Sequence, residues 1–170
     1  MGKTGEAEYW INKFGMTKHP EGGFFVETYK CNEIVKQAHL PSRYNGDRSL
    51  ATGIYFLITQ DDFSSLHRIA SDEMWHFYAG SPLTVYAFKG KEYFEITLGS
   101  NVEKGEAFQA VVPHDFWFGS RINVKTGGFA LVGCTVSPGF DFEDFELAKR
   151  DKLLQEYPQH TELIQSLTRR

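Results

Sequence analysis

The 170-residue chain predicts an all-β fold, an antiparallel sandwich or barrel with helical ends. Strand-like runs recur at short intervals, beginning with FFVETYK at 24–30. ATGIYFLI, FSSLHRI, EMWHFYA, LTVYAF, YFEITL, AFQAVV, FWFGSRI and FALVGCTV then follow between 51 and 136. The breaks between them carry turn residues, as in Gln60-Asp61-Asp62, Gly80-Ser81-Pro82, Lys89-Gly90-Lys91, Gly99-Ser100-Asn101 and Gly127-Gly128. Such regular short strands point away from βαβ units, whose crossovers need longer connections.

The ends read differently. Thr4 to Phe14 has a helical pattern, with Thr4 as a candidate N-cap and Gly15 as a C′ stop. HPEGG, His19 to Gly23, breaks the chain ahead of the first long strand, and residues 36–49 are polar and irregular, a loop or flap. From about Asp144 the period changes: DFELAKRDKLLQEY reads as helix, Pro158 interrupts it, and QHTELIQSL reads as a last helix. The expected organisation is one domain over 1–170, with helix at 4–14, a barrel over about 24–136 and helices over about 144–167. A chain of this size buries roughly 70% of its unfolded surface without staples.

Composition narrows the function classes. A formal charge of −4 with mixed signs argues against nucleic acid as the main partner. Cys31 and Cys134 lie far apart with no metal-binding spacing, as free thiols of a cytoplasmic protein would. The polar N-terminus gives no signal-peptide pattern and no apolar run approaches 18 residues, so a soluble protein with no membrane partner is expected. Fifteen Phe, eight Tyr and three Trp supply core, interface and ligand walls alike and separate none of them.

The segment SSLHRIASDEMWHFYAG, Ser64 to Gly80, carries the chemistry. It reads as a strand, a tight turn at Ser71-Asp72 and a second strand, with His67 and Glu73 facing inward. A histidine serves as a general base near neutral pH, and a buried carboxyl can orient it or stabilise its charge. The plain alternatives are a core histidine satisfied by one hydrogen bond and a carboxylate paired with Arg68.

The same segment resembles the first motif of the cupin superfamily: His67, Glu73 and Gly80 fall in register, and Ile69 stands where that motif has its second histidine. GEAFQAVVPHDFWF, Gly105 to Phe118, resembles the second motif; Pro113 matches, while Asp115 replaces a glycine and Phe118 a histidine. Together with HPEGGFFVETY and LVGCTVSPGFDFEDFELAKRDKL, these stretches resemble one cupin family of unassigned function, sometimes called the fifth, over nearly the whole chain. The resemblance implies a cupin jelly-roll β-barrel or sandwich, a homodimer, and likeness in shape to dTDP-sugar 3,5-epimerases. It also implies that the usual metal set of three histidines and a glutamate is reduced here to His67 and Glu73. His76 or His114 would complete a smaller set only with departures from regular geometry, so no metal and no cofactor is expected.

Around His67 and Glu73, the cupin register places Gln109 inward, in alternation with Val111 and Pro113. Ser65 precedes His67 by two on one face, and Trp75 shares the face of Glu73. Trp117 lies near the vacant histidine position, His76 enters the pocket only if a bulge shifts its strand, and Tyr29 is a hydroxyl that could reach it. Core or interface packing is the ordinary fate of each. The resulting expectation is an epimerase- or isomerase-like cupin acting on a small polar ligand, a carbohydrate or nucleotide-sugar derivative. His67 would move the proton, Glu73 would tune it, and Ser65, Trp75, His76, Gln109, Trp117 and Tyr29 would bind ligand. A non-catalytic ligand-binding cupin and a metal-dependent dioxygenase or isomerase are the alternatives.

Overall fold

The computed structural model describes residues 3–123 and 128–169. Helix α1 (Lys3–Phe14) leads to β1 (Thr17–Lys18), β2 (Phe24–Lys30), β3 (Ile34–Val35), β4 (Arg48–Ser49), β5 (Thr52–Thr59) and β6 (Ser64–Arg68). Then come β7 (Asp72–Gly80), β8 (Leu83–Lys89), β9 (Glu92–Leu98), β10 (Gln109–Val112), β11 (Trp117–Ile122) and β12 (Phe129–Ser137). The chain closes with β13 (Glu146–Leu147), α2 (Arg150–Glu156) and α3 (Thr161–Ser166). Two antiparallel sheets face each other, in the orders β1-β2-β5-β12-β7-β10 and β13-β6-β11-β8-β9, and β3-β4 form a small third sheet. Strands adjacent in space but distant in sequence make this a jelly-roll sandwich, and the all-β expectation is met.

Period-two alternation divides the apolar residues among three layers. Along β12, Ala130, Val132, Cys134 and Val136 point between the sheets, where they meet Leu83, Val85, Ala87 and Phe118 of the facing sheet. Phe129 and Leu131 point out and are covered by Ala7, Trp10 and Phe14 of α1. On the outer face of the second sheet, Leu66, Phe88 and Trp117 are covered by Leu153, Tyr157, Ile164 and Leu167 of the C-terminal segment. Gly80 takes φ +97°, and a Cβ there would sit 2.1 Å from the Phe129 carbonyl oxygen, so only glycine fits this corner. Asp115, which replaces the glycine of the second motif, keeps a left-handed φ of 63°.

Both ends depart from the sequence reading in detail. Helix α1 begins at Lys3, so Thr4 lies inside its first turn instead of capping it, while Gly15 stops it at φ +60°. The predicted helix from Asp144 begins only at Arg150. Residues Glu146 and Leu147 pair instead with Arg68 and His67 of β6, and Glu146 holds Arg68 at 2.7 Å. Main-chain pairing and an ion pair to a distant strand override the local helical pattern over these residues.

The 36–49 segment is tied down. Arg48 is buried and donates from Nε and Nη2 to Asp144 at 2.7 and 2.6 Å. The buried Tyr44 hydroxyl meets Ser71 Oγ at 2.8 Å, and Ser71 donates to the Pro138 carbonyl at 2.7 Å. These contacts place the Phe140–Phe145 stretch against one end of the sandwich, where the site lies.

Candidate functional site

A cavity opens between the sheets at the β6–β7 end. It offers about 90 Å³ to the centres of water-sized molecules, room for several waters or a small ligand. Its walls are largely apolar, with Phe25, Ile54, Phe56, Ile69, Val136, Phe140 and Phe142, and its polar groups are His19, Glu21, Glu27, Thr52, His67, Glu73 and Cys134.

A bulge in β6 builds its centre. Phe118 of β11 pairs with His67 and Ser120 pairs with Ser64, so three steps on β6 oppose two on β11. Leu66 turns to the outer cluster while Ser64 and His67 both reach the cavity side. The bulge lies over Gly119, where a Cβ would come within 2.7 Å of the Ser64 carbonyl oxygen and 3.2 Å of the Leu66 nitrogen. A side chain at 119 therefore has no space unless β6 moves and carries His67 with it.

The HPEGG turn docks on this bulge. Ser65 N donates to the Glu21 carbonyl at 2.8 Å, and Gly23 N donates to Asp62 at 2.9 Å. Ser64 Oγ donates to Glu21 Oε1 at 2.8 Å, while Glu21 Oε2 lies 3.2 Å from His67 Nε2 and 3.4 Å from His19 Nδ1. His67 Nδ1 is 2.7 Å from the Ser65 carbonyl oxygen and must carry the proton of that bond, leaving Nε2 as an acceptor in the neutral ring. His19 Nδ1 accepts from Glu21 N at 3.3 Å.

Burial governs the charges. It pushes the Glu21 carboxyl well above the usual carboxylate range, and the charge of Glu73 adds to this, against the Ser64 hydroxyl. It pushes His67 down to about 3 despite the Ser65 bond, and His19 down to about 4. With both charged forms disfavoured, Glu21 and His67 form a neutral acid donating to a neutral imidazole, not an ion pair. Burial raises Glu73 to about 7, with the Cys134 thiol working the other way, and that thiol is itself pushed up by burial and by Glu73. The cavity thus holds one carboxyl kept protonated and another that exchanges its proton near neutrality, the pairing that acid–base catalysis uses.

Of the residues expected here, His67 and Glu73 line the cavity. Ser65 contributes through its backbone; its hydroxyl is buried without a hydrogen-bond partner among the described residues, and Ser64 reaches Glu21 instead. Trp75 is buried in the core behind the cavity, edge-on to Phe56 at 5.9 Å. Trp117 faces away, into the layer under α2 and α3, with Arg68 4.6 Å from its ring.

Gln109 faces outward, a reversal of its expected face: it pairs with His76, whereas Ala110 and Val112 face inward opposite Trp75 and Glu73. Gln109 is the one polar residue of QAVV, and the alternation with buried Ala110 and Val112 puts its face toward solvent, against the cupin register. His76 stands on the same outer surface, bonded to Gln109 at 3.1 Å and Thr135 at 3.0 Å. Tyr29 is turned out by a second bulge, after Glu27, where Thr28 is the extra residue opposite Gly53.

The sequence reading missed His19, Glu21, Glu27, Thr52 and Cys134. Alternation with Phe25, with Ile54 and with Val132 and Val136 was a usable signal for Glu27, Thr52 and Cys134. His19 and Glu21 offered only a charged residue set between proline and two glycines.

The family model described as "Cupin superfamily (DUF985)" matches residues 8–148. The chain belongs to this cupin family. It is similar to protein SO0799 of Shewanella oneidensis, at 41% identity and a TM-score of 0.84, over 96% of this chain and 97% of that one. A hypothetical protein from Leishmania major matches at 35% identity and a TM-score of 0.87, over 96% and 99%. The Saccharomyces cerevisiae "Uncharacterized protein YML079W" is 27% identical, over 85% of this chain and 76% of its own.

A metal of the usual cupin kind does not fit these residues. Ile69 and Phe118 fill two histidine positions of this cupin's motifs, and His67 spends one nitrogen on Ser65 and faces Glu21 with the other. Among the described residues no three His, Cys, Asp or Glu side chains are grouped to hold an ion.

Proposed function

We propose that this cupin binds a small polar ligand in the cavity and moves a proton on it, as an epimerase or isomerase does beside a carbonyl. The observation that carries this reading is the convergence of Glu73 and the Glu21–His67 pair on one small, mostly apolar void. Glu73, near 7, takes and returns the proton, while the neutral Glu21–His67 pair, fixed by the Ser64 hydroxyl, lies beside it in the same void. This shifts the proton-moving role from His67 to Glu73, because an imidazole pushed down to about 3 is a weak base.

The ligand class we favour is a carbohydrate. Among the described residues no Lys or Arg lines the cavity, so the diphosphate of a nucleotide sugar would find no cation from them inside, and the sugar unit is the part that fits.

The test is hydrogen–deuterium exchange of aldoses, ketoses and 2-keto acids in D2O, followed by proton NMR. Wild type is expected to wash deuterium into one substrate, with a rate rising through pH 7, and Glu73→Gln to lose about a hundredfold. A sugar that binds at the cavity yet exchanges nothing in either protein would show a binding cupin instead.

A homodimer is part of the same proposal. Met74, Tyr78 and Val111 are exposed on the outer face of β7 and β10 beside the His76–Gln109 pair, an apolar surface at the sheet's edge that a second copy would cover. Light scattering at micromolar concentration is expected to give twice the monomer mass of 19.4 kDa; a monomer mass rejects it.

A further inference from the structure

Among the described residues three carboxyl side chains, Glu21, Glu27 and Glu73, line the cavity, and no Lys or Arg does. Glu73 is more than nine-tenths buried, beside the Cys134 thiol. Around these carboxyls stands a box of rings: Phe25, Phe56, Phe140, Phe142 and His19. His19 is edge-on to Phe25 at 4.7 Å and to Phe56 at 6.0 Å, and stacked on Phe142 at 6.0 Å; Phe140 meets Phe142 edge-on at 5.0 Å. Among the described residues the inner carboxyls, Glu21 and Glu73, have no Lys or Arg beside them in the cavity, and the rings line the same space. A neutral sugar would use the carboxyls and the rings but leave an ionised Glu73 without a counter-charge, and an anion would be repelled by the carboxyls.

We infer that the ligand of this cavity carries a positively charged amine, seated among the phenylalanine rings with Glu73 as its counter-charge and Glu27 at the solvent side. An ammonium group satisfies both features at once, because aromatic faces attract a cation and a carboxylate pairs with it in a site largely closed to water. The inference rests on the reading of this cavity as the ligand site and adds the ligand's charge to it; an amino sugar is the ligand class that meets both.

Calorimetric titration with choline and with its uncharged carbon isostere, 3,3-dimethylbutan-1-ol, at pH 8 tests it. Choline is expected to bind about tenfold tighter than the isostere, the advantage cation–π and ion pairing give at a partly desolvated site. Glu73→Gln is expected to erase the difference while leaving the isostere's affinity in place, which also shows that the variant is folded. Equal binding of the two probes by wild type overturns the amine and leaves the cavity as a ligand site. Binding of neither overturns the amine as well, and the deuterium-exchange experiment then decides the catalytic reading by itself.

Discussion

Glu73→Gln is expected to stabilise this cupin at alkaline pH and not at acid pH. In the unfolded chain the carboxyl releases its proton near 4.5, whereas in the folded protein it holds it up to about 7. Between those values the folded state binds one proton more, so stability falls as pH rises. The loss is complete above 7 and amounts to about 3 kcal/mol for this group. Glutamine has no proton to lose. Urea unfolding at pH 4 and pH 8 should therefore show the variant gaining about 3 kcal/mol on wild type between the two conditions. Glu21, raised in the same direction, adds to the alkaline decline of the wild type.

The histidines act oppositely. His67 and His19 are depressed to about 3 and about 4, so their contribution is present above their unfolded value of 6.5 and disappears as pH falls through the folded values. Wild type is thus least stable at both extremes. A variant effect that is the same at pH 4 and pH 8 would mean that Glu73 titrates as an ordinary carboxyl, and the acid–base reading of the cavity would lose its main support. A site that sacrifices stability to keep such groups desolvated is a common signature of function.

Asp144→Ala is expected to cost about 3–5 kcal/mol. The Arg48 guanidinium is 3% exposed, and its two-pronged bond to Asp144, whose side chain is also 3% exposed, is the contact that compensates its burial. Glu143, at 3.4 Å and 65% exposed, is a poor substitute. The double change Arg48→Met with Asp144→Leu removes both charges and is expected to recover most of the loss, since apolar residues of similar volume often replace a buried pair at little cost. Thermal and urea unfolding of the single and double variants decide the matter. A single variant losing under about 1 kcal/mol would show that Arg48 finds water or another partner, and that the 36–49 segment is held mainly by Tyr44.

Sequence alone determined the sandwich. The strands from β5 to β12 announced themselves through alternation and turn residues, signals that are local and need no partner to be read. The cupin register added His67 and Glu73 to one interior, which alternation across the turn between their strands does not do by itself. Tertiary structure decided the rest.

Two bulges, one in β6 over Gly119 and one in β2 after Glu27, choose Ser64 over Ser65 and turn Tyr29 outward. A bulge leaves no trace in a period-two pattern, because it depends on the pairing strand. Gln109 faces opposite to the side the cupin register gave it, in line with its own polarity, and pairing with β7 sets its direction. Glu21 and His19 entered the site from a turn far from β6 in sequence, brought there by a main-chain bond from Ser65 to Glu21. The proton chemistry came with them. It arises from burial of five titratable groups around one void, and burial is a property of the assembled sheets that no single segment carries.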